Sequence, residues 1–276
     1  MDLVTGGERL EIGGTMKAVD LHEHMKTVGT WVDWSDTVDR FIIGDPSTNV
    51  KGIAVAWQSR TAALKEAVKM GCNLFVTHEP TFYNHRDNNE AVFGEPFVAQ
   101  KREYIQSNGL VIYRCHDMWD QMPKVGIVDS WAAHLGLTEK LNSDEFHAVY
   151  KSPKPTLVEL ARHVAAATAY LKQNHVEIVG DPHAKISKVA IGCGAITDYR
   201  AMVGLGADVV IGTDDGMRYW EMGSWAIDRG LPLIIVNHPV AEEPGMKNLA
   251  KHIERTFPGV KTVHIPQGCM YRVVGG

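Results

Sequence analysis

The segment Gly71–Pro80 has the sequence GCNLFVTHEP and predicts a buried strand that ends in two polar residues. Leu74 to Val76 is apolar at consecutive positions, which is typical of a parallel strand covered on both faces. His78 and Glu79 follow, and Pro80 stops the strand. Because ligands of open α/β sheets bind beyond the carboxyl ends of the strands, this pair is a candidate metal-binding element. An isolated His-Glu pair is more often only a polar strand exit, so the rest of the chain has to decide.

The composition indicates a globular protein without an electrostatic affinity for nucleic acid. The 276 residues carry a formal charge of −5, and no basic run interrupts the sequence. Four cysteines are far apart and form no C-x-x-C, which favours buried free thiols in a reducing compartment. Neither a membrane-length apolar stretch nor a signal-peptide core is present. We therefore expect a cytoplasmic protein with no membrane and no nucleic-acid partner.

The opening segment belongs to a predicted βαβ unit. The pattern indicates a strand over residues 52–57 and a helix over 61–70, with Gly71 just past the helix end. A polar loop holding His85 follows, and then a helix over 95–108. The next strand, over 110–113, ends in a second polar cluster that runs from Cys115 to Asp120.

The second half of the chain repeats the first. Aligning Gly71 with Gly206 also aligns Glu79 with Asp214, without a gap. A different shift places His238 on His116 and Glu242 on Asp120, so both halves carry His-x-x-x-carboxylate after a buried strand. Because strand ends of two such halves can converge, the repeat turns the isolated His-Glu pair into part of a pattern.

The repeat predicts a single α/β domain with two similar lobes that face each other across a cleft. We place the first lobe at about residues 38–137, the second at about 155–276, and an N-terminal arm at 1–15. The segment 138–154 is the least patterned part of the chain and marks the expected boundary. A final helix over 247–256 is followed by a last strand over 260–265.

Imidazole and carboxylate ligands collect at the predicted strand ends without any cysteine, which argues against a closed structural zinc site. Three carboxylates gathered in one partly dry cleft would repel each other by several kcal/mol without cations. Two ions about 3.5–4 Å apart would use all the candidate ligands, and a water activated there would be the nucleophile of a hydrolytic reaction. The candidates are His78, Glu79, Asp120, His238 and Glu242.

Three further residues have two interpretations each. His116 is either a metal ligand or a group that hydrogen-bonds a ligand. Asp214 lines the same cleft, or it has a helix-capping or strand-exit role. His85 transfers protons above the site or is a solvated loop histidine.

The motifs resemble the Nif-three-like family, whose members are also called GTP cyclohydrolase type-two-like proteins. The likeness rests on residues 71–82, on HDMWD at 116–120 and on HPVAE at 238–242, and it extends from about Phe41 to Ile265. It implies two α/β lobes, a dinuclear metal site and homo-oligomers, often toroidal hexamers built from dimers or trimers. Carried over, the family pattern implies metal ligation by His78, Glu79, Asp120, His238 and Glu242.

The sequence departs from the family pattern at three places. Glu79 stands where the family has a second histidine, which shifts the ligand set toward oxygen. Asp117-Met118 replaces the usual Thr-Asn, and Trp57 replaces an aspartate that is frequent after the first strand. We expect two divalent ions, drawn from Zn, Fe, Mn or Mg.

These observations favour a metal-dependent hydrolase of a small, nucleotide-like substrate. By resemblance, the reaction is a purine ring opening like that of GTP cyclohydrolase type two, with His116 and His85 moving protons. Two alternatives belong to other classes: a non-catalytic metal-binding scaffold or metal carrier, and a regulatory interaction protein.

Overall fold

The computed structural model describes residues 15–192 and 194–274. The predicted N-terminal arm lies outside the described residues except for its last position. By internal contacts the chain forms two compact units. The first extends to Trp119 and includes Met246–Pro266, and the second comprises Asp120–Gly245 and the chain from Gln267 onward.

The first unit is built around a five-stranded sheet. Its elements are α1 (Ala18–Val28), β1 (Phe41–Ile43), β2 (Ile53–Gln58), α2 (Thr61–Lys69), β3 (Leu74–Glu79), α3 (Glu90–Phe93), α4 (Pro96–Ser107), β4 (Val111–Arg114) and, from the end of the chain, β11 (Thr262–His264). The strand order is β1-β4-β3-β2-β11. Strands β2, β3 and β4 are parallel, as is β11 beside β2, and only β1 runs antiparallel.

The second unit is built around a six-stranded sheet. Its elements are α5 (Asp117–Asp120), which includes the unit boundary, α6 (Ile127–His134), β5 (Lys140–Ser143), β6 (His147–Lys151), α7 (Leu157–Thr168), β7 (Glu177–Val179), β8 (Lys188–Gly192), α8 (Tyr199–Gly204), β9 (Val209–Thr213), α9 (Gly223–Arg229), β10 (Leu233–Val236) and α10 (His238–Thr256), whose last part belongs to the first unit. The strand order is β5-β6-β8-β9-β10-β7. Two short 3₁₀ helices cover Ala169–Leu171 and Gly194–Ile196.

The predicted α/β class is confirmed, and the cores explain it. Strands β3 and β4 are buried over nearly their whole length, as are β9 and β10. Helices pack apolar faces on the sheets, for example through Leu64 of α2 and Leu160 of α7. In both sheets, consecutive parallel strands end at one edge, which is where the polar clusters follow.

The structure differs from the sequence prediction in two places. The segment 138–154, expected to be unpatterned, contains the hairpin β5–β6, whose outer strand is exposed and therefore lacks an apolar pattern. Helix α10 begins at His238 rather than at Lys247, because Pro239 is tolerated in a first helical turn, and it contains Pro244.

Two smaller sequence predictions concern cysteines and membranes. Cys72 and Cys115 are buried free thiols, Cys269 is a partly exposed one, and Cys193 lies outside the described residues. Within residues 15–192 and 194–274, no helix combines the length and the apolar character that a bilayer crossing needs.

Candidate metal centre

In the first unit, three of the predicted residues lie together at one sheet edge. His78 and Glu79 end β3, and His116 follows the neighbouring parallel strand β4. The rings of His78 and His116 stack with centroids 4.4 Å apart and an interplanar angle of 14°. His116 Nε2 lies 3.9 Å from Glu79 Oε1. The convergence expected from parallel strand ends is therefore present within this unit.

His78 is prepared to bind through Nε2. The side chain is fully buried, and its Nδ1 lies 3.0 Å from the carbonyl oxygen of Cys115. Because a carbonyl only accepts, Nδ1 carries the proton and donates, which leaves the lone pair on Nε2. A histidine fixed in this way by a backbone carbonyl is characteristic of metal ligands.

A buried arginine supports the same sheet edge. Arg114 Nε donates to the His78 carbonyl at 2.8 Å, and another guanidinium nitrogen donates to the His85 carbonyl. Its Nη2 lies 3.7 Å from Glu79 Oε2. Burial lowers the pKa of Arg114, while Glu79 opposes that shift, so the guanidinium stays charged. Arg114 thereby offsets the charge that Glu79 brings to the edge.

His116 is held from its backbone side by Asp39, which the sequence analysis missed. Asp39 is 1% exposed and accepts from the backbone N–H groups of His116, Asp117 and Met118, the last at 2.7 Å. Burial raises the pKa of Asp39 to about 6 although these hydrogen bonds oppose it. Asp39 therefore positions the first turn of α5, and with it the HDMWD motif.

The side chain of His116 is oriented by its neighbour in sequence. His116 Nδ1 lies 2.9 Å from Asp117 Oδ1, and Thr37 Oγ1 donates to Asp117 Oδ2 at 2.7 Å. Burial alone would raise the pKa of Asp117, but the hydrogen bonds from His116 and Thr37 lower it well below its usual range. With Nδ1–H held by this carboxylate, His116 presents Nε2 toward Glu79.

His85 is exposed on the loop after β3, with its ring centroid 6.0 Å from that of His116. Desolvation lowers the pKa of His85, and the charge of Arg114 lowers it further. The side chain is therefore neutral at pH 7, close to His116 and able to accept a proton.

In the second unit, His238 and Glu242 lie on one face of the first turns of α10. They are four residues apart, and His238 Nε2 lies 2.9 Å from Glu242 Oε1, a carboxylate that is 2% exposed. Asp214 accepts from the backbone N–H of His238 at 3.0 Å and from Asn237 Nδ2 at 2.7 Å. Asp214 thus caps the start of α10, the helix-capping role that the sequence left open.

The residue that orients the His238 ring is Asp215, which the sequence analysis also missed. Asp215 Oδ2 lies 2.7 Å from His238 Nδ1. Burial raises the pKa of Asp215, but the hydrogen bonds from His238 and Thr213 and the attraction of the His238 ring together outweigh this effect, so the pKa is lowered and the carboxylate is ionised. An ionised partner keeps the proton on Nδ1 and the lone pair on Nε2, as in carboxylate–histidine–metal arrangements.

The donor set of this pair fits a divalent ion. A lone pair on His238 Nε2 and a carboxylate oxygen of Glu242 face each other at 2.9 Å, which is repulsive unless a proton or a cation is shared. Two adjacent ligand atoms of an octahedral ion, about 2.0–2.1 Å from it and at a right angle, are themselves about 2.9 Å apart. His238 and Glu242 are therefore spaced like two adjacent ligands of one ion.

Close packing against a glycine holds the pair in place. A Cβ on Gly194 would lie 2.4 Å from His238 Nε2 and 3.1 Å from Glu242 Oε1. Gly194 has φ +37°, and its carbonyl accepts from Thr197 Oγ1 at 2.6 Å. Gly194, in the 3₁₀ helix after β8, thus forms one wall of the His238–Glu242 pair.

Asp215→Ala is expected to weaken zinc binding by roughly 10- to 100-fold, because loss of an outer hydrogen-bond partner frees the His238 ring to rotate and to change tautomer. Asp215→Asn keeps an acceptor for the ring N–H, so its zinc affinity should lie between those of the wild type and Asp215→Ala. The measurement is competition for Zn²⁺ with a chromophoric chelator. Asp228→Ala, on the exposed side of α9, is the control and should bind as the wild type does. Equal affinities for Asp215→Ala and wild type would show that Asp215 does not position a ligand.

Among the described residues, five histidine and carboxylate side chains belong to groups that could hold a metal ion. His78, Asp120 and Glu242 are buried, whereas Glu79 and His116 are partly exposed. His116 is a member although the sequence analysis left its role open. Asp120 is 7% exposed, at the end of α5.

The whole arrangement can be compared with known proteins. A family model described as Duf34/NIF3 (NGG1p interacting factor 3) matches residues 19–268. The chain belongs to this family. The resemblance inferred from the three motifs is thereby confirmed.

Relatives of the Duf34/NIF3 chain agree with this assignment. It is 25% identical over 200 residues to the GTP cyclohydrolase 1 type 2 homolog of Clostridium perfringens, covering 68% of this chain and 75% of the relative. It is 22% identical over 255 residues to the homolog of the same name from Chlamydia pneumoniae, covering 88% of this chain and 95% of that relative. The Bacillus cereus protein related to NIF3 superposes with a TM-score of 0.79 at 15% identity, over 96% of this chain and all of that one, which supports the fold.

Proposed function

We propose that this protein is a dinuclear-metal-dependent hydrolase of a small, nucleotide-like substrate. The observation that carries the proposal is the His238–Glu242 pair, in which a ring nitrogen and a carboxylate oxygen approach to 2.9 Å while Asp215 holds the other ring nitrogen. Because Asp215 keeps the ring proton on Nδ1, His238 Nε2 and Glu242 Oε1 face each other as two ligand atoms of one ion would.

The ligands in this proposal are the five that the sequence indicated. His78 and His238 each have Nδ1 engaged by a fixed acceptor, so each offers Nε2. The carboxylates supply the oxygen ligands, and five ligands of this kind exceed what one catalytic ion usually takes, which favours two divalent cations. The proposed ligand set is His78, Glu79, Asp120, His238 and Glu242.

Bound divalent ions would supply Lewis acidity and a water of lowered pKa. The chain itself supplies proton transfer and charge compensation. His116 holds its Nδ1 proton against Asp117 and presents Nε2, which accepts a proton in the reaction. His85, neutral and close to the His116 ring, passes that proton to solvent. Arg114 holds Glu79 in place by charge and by its neighbouring backbone contacts.

The names of the Clostridium and Chlamydia relatives suggest the reaction class. In hydrolytic opening of a purine ring, the oxygen of water bonds to the ring carbon, the ring C–N bond breaks, and a proton goes to the leaving nitrogen. We propose this class for the present chain, with GTP as the first substrate to test. Assembly as a hexamer or dimer stays a prediction from the family resemblance.

The test is metal analysis of the purified protein beside the variants Asp120→Ala and Glu242→Ala. We expect about two equivalents of divalent metal per chain in the wild type, as in two-ion hydrolytic sites, and a loss in both variants. Glu254→Ala, an exposed carboxylate on the same helix as Glu242, is the matched control and should keep the full content.

Metal at substoichiometric levels that neither variant changes would overturn the dinuclear site and the hydrolase with it. Stoichiometric metal without turnover in a substrate screen that begins with GTP would instead favour the scaffold or carrier alternative.

A further inference from the structure

A cavity of about 210 Å³ lies within the second unit and has Asp120 in its wall. It is enclosed by the end of α5, the start of α6 and the hairpin β5–β6. Ligand pockets usually measure about 300–1,000 Å³, so this one has room for a single ring or a substituent rather than a whole nucleotide. Its apolar wall consists of Met122, Pro123, Val128, Phe146 and Ala148.

The charged wall of the cavity is acidic. Lys140 is the one ammonium group among the described residues of the wall, and it is tied to Asp129 Oδ1 at 2.9 Å, so this pair is close to neutral. Two further carboxylates, Asp144 and Glu145, line the cavity beside it and make the wall negative. Asp120 also lines the cavity, but a bound metal ion would offset its charge.

His147 does not supply a compensating charge. Its Nδ1 donates to Asp144 at 2.9 Å, while its Nε2 accepts from the backbone N–H of Asp198 at 3.1 Å. A ring nitrogen that accepts a hydrogen bond carries no proton, so His147 is neutral in this arrangement. The side chain is 7% exposed and fixes Asp144, whose carboxylate also accepts from the backbone N–H of Phe146 at 3.0 Å.

The geometry points to a subsite for a planar, positively charged nitrogen group, an amidinium or guanidinium, carried on a small apolar ring. Carboxylates pair with planar N–H donors in two parallel hydrogen bonds, and the apolar wall accommodates the ring. The same carboxylates repel phosphate and carboxylate groups. The assignment of the cavity to the substrate rests on the proposed hydrolase, since Asp120 would join the cavity to the metal. The cavity's preference for a cationic ligand does not depend on the hydrolase.

Two matched probes test the charge preference. Benzamidine and benzoate have nearly the same size and shape and opposite charges. We expect benzamidine to bind and benzoate to bind at least about tenfold more weakly, because the probe's charge faces the carboxylates of a partly enclosed site. Binding is followed through the Met122 methyl resonance of methyl-labelled protein, assigned with Met122→Leu, which also reports the location.

The variants Glu145→Gln and Asp144→Asn should each weaken benzamidine binding severalfold and leave benzoate binding unchanged or stronger. Glu145 is exposed, so its variant tests the charge without a folding risk, and the amide oxygen introduced by Asp144→Asn keeps an acceptor for the Phe146 N–H. Glu139→Gln is the control: this exposed residue precedes the hairpin, pairs with Lys151 and does not line the cavity. It should bind as the wild type does.

Equal binding of both probes, or benzamidine affinity that neither variant changes, would overturn the subsite. The probe titration is run on the purified protein before and after removal of metal with a chelator. The comparison separates the test of the subsite from the test of the proposed hydrolase. A cationic preference that survives chelation in a protein without stoichiometric metal would keep the subsite and reject the hydrolase. Stoichiometric metal without a preference for benzamidine over benzoate would keep the hydrolase and reject the subsite.

Discussion

Gly194→Ala is expected to weaken zinc binding at least about tenfold, which is the size of effect expected when a metal ligand loses an outer hydrogen-bond partner. The added methyl would meet His238 Nε2 at 2.4 Å and His238 Cε1 at 2.6 Å, distances that real Cβ atoms do not show. His238 cannot retreat without leaving Asp215, and the methyl would also sit 3.1 Å from Glu242 Oε1. The nitrogen that we propose as a ligand is therefore the atom that the substitution displaces.

The same substitution should lower the free energy of unfolding of the metal-free protein by about 2–4 kcal/mol. Roughly 1–2 kcal/mol comes from a side chain at φ +37°, and the rest from overpacking against His238. Zinc competition measures the first effect, and urea unfolding in the presence of EDTA measures the second.

Gly230→Ala separates backbone strain from the contact with His238. Gly230 has φ +70° at the end of α9, and a Cβ there would meet nothing within 4 Å. This control should lose about 1–2 kcal/mol of stability and bind zinc normally. If Gly194→Ala bound zinc as Gly230→Ala does, His238 would not be a ligand, and the proposed centre would have to exclude it.

The sequence could predict the site because both sheets place polar residues after buried parallel strands. His78 and Glu79 follow the apolar run of β3, His116 follows β4, and His238 follows β10. Such runs are specified by composition alone, and parallel strands share one carboxyl edge. The polar strand exits were thus predictable from local pattern, and the three motifs were enough for the family.

The residues that orient the candidate ligands were not predictable in the same way. Asp39 precedes β1 and holds the backbone of His116 from across the sheet, 77 residues earlier in the chain. Asp215 contacts His238, 23 residues later, although the repeat directed attention to Asp214 beside it. No local sequence pattern marks either aspartate, because each contacts a histidine that is distant in the chain and comes close only in the folded protein.

Another contact that the sequence did not indicate joins α1 to α10 within the first unit. His24 Nε2 lies 3.0 Å from His252 Nε2, so one ring donates and the other accepts. The sequence alone does not connect the two histidines, because they are 228 residues apart in the chain. The groups facing the pair are Trp119, Thr256 and Phe257, with Arg255 contributing charge.

This pair should make the fold sensitive to acid. Burial, the neighbouring His24 and the charge of Arg255 lower the pKa of His252 from its usual 6.5 to about 4, and burial also lowers the pKa of His24. Well above pH 6.5 neither the folded nor the unfolded chain protonates His252, so its titration has no effect there. Between pH 6.5 and about 4 the unfolded chain binds a proton that the folded chain does not, so stability falls as the pH falls.

His252→Gln is therefore expected to remove about 2 kcal/mol of the stability loss that the wild type shows between about pH 7.5 and pH 5. Glutamine can still hydrogen-bond to His24, and it does not titrate. Urea unfolding at the two pH values gives the difference, with EDTA present so that release of a metal at low pH does not contribute. His183→Gln, at an exposed position, should lose as much stability as the wild type. If His252→Gln lost as much as His183→Gln does, the acid sensitivity would arise elsewhere, and the α1–α10 contact would be no more than a hydrogen bond.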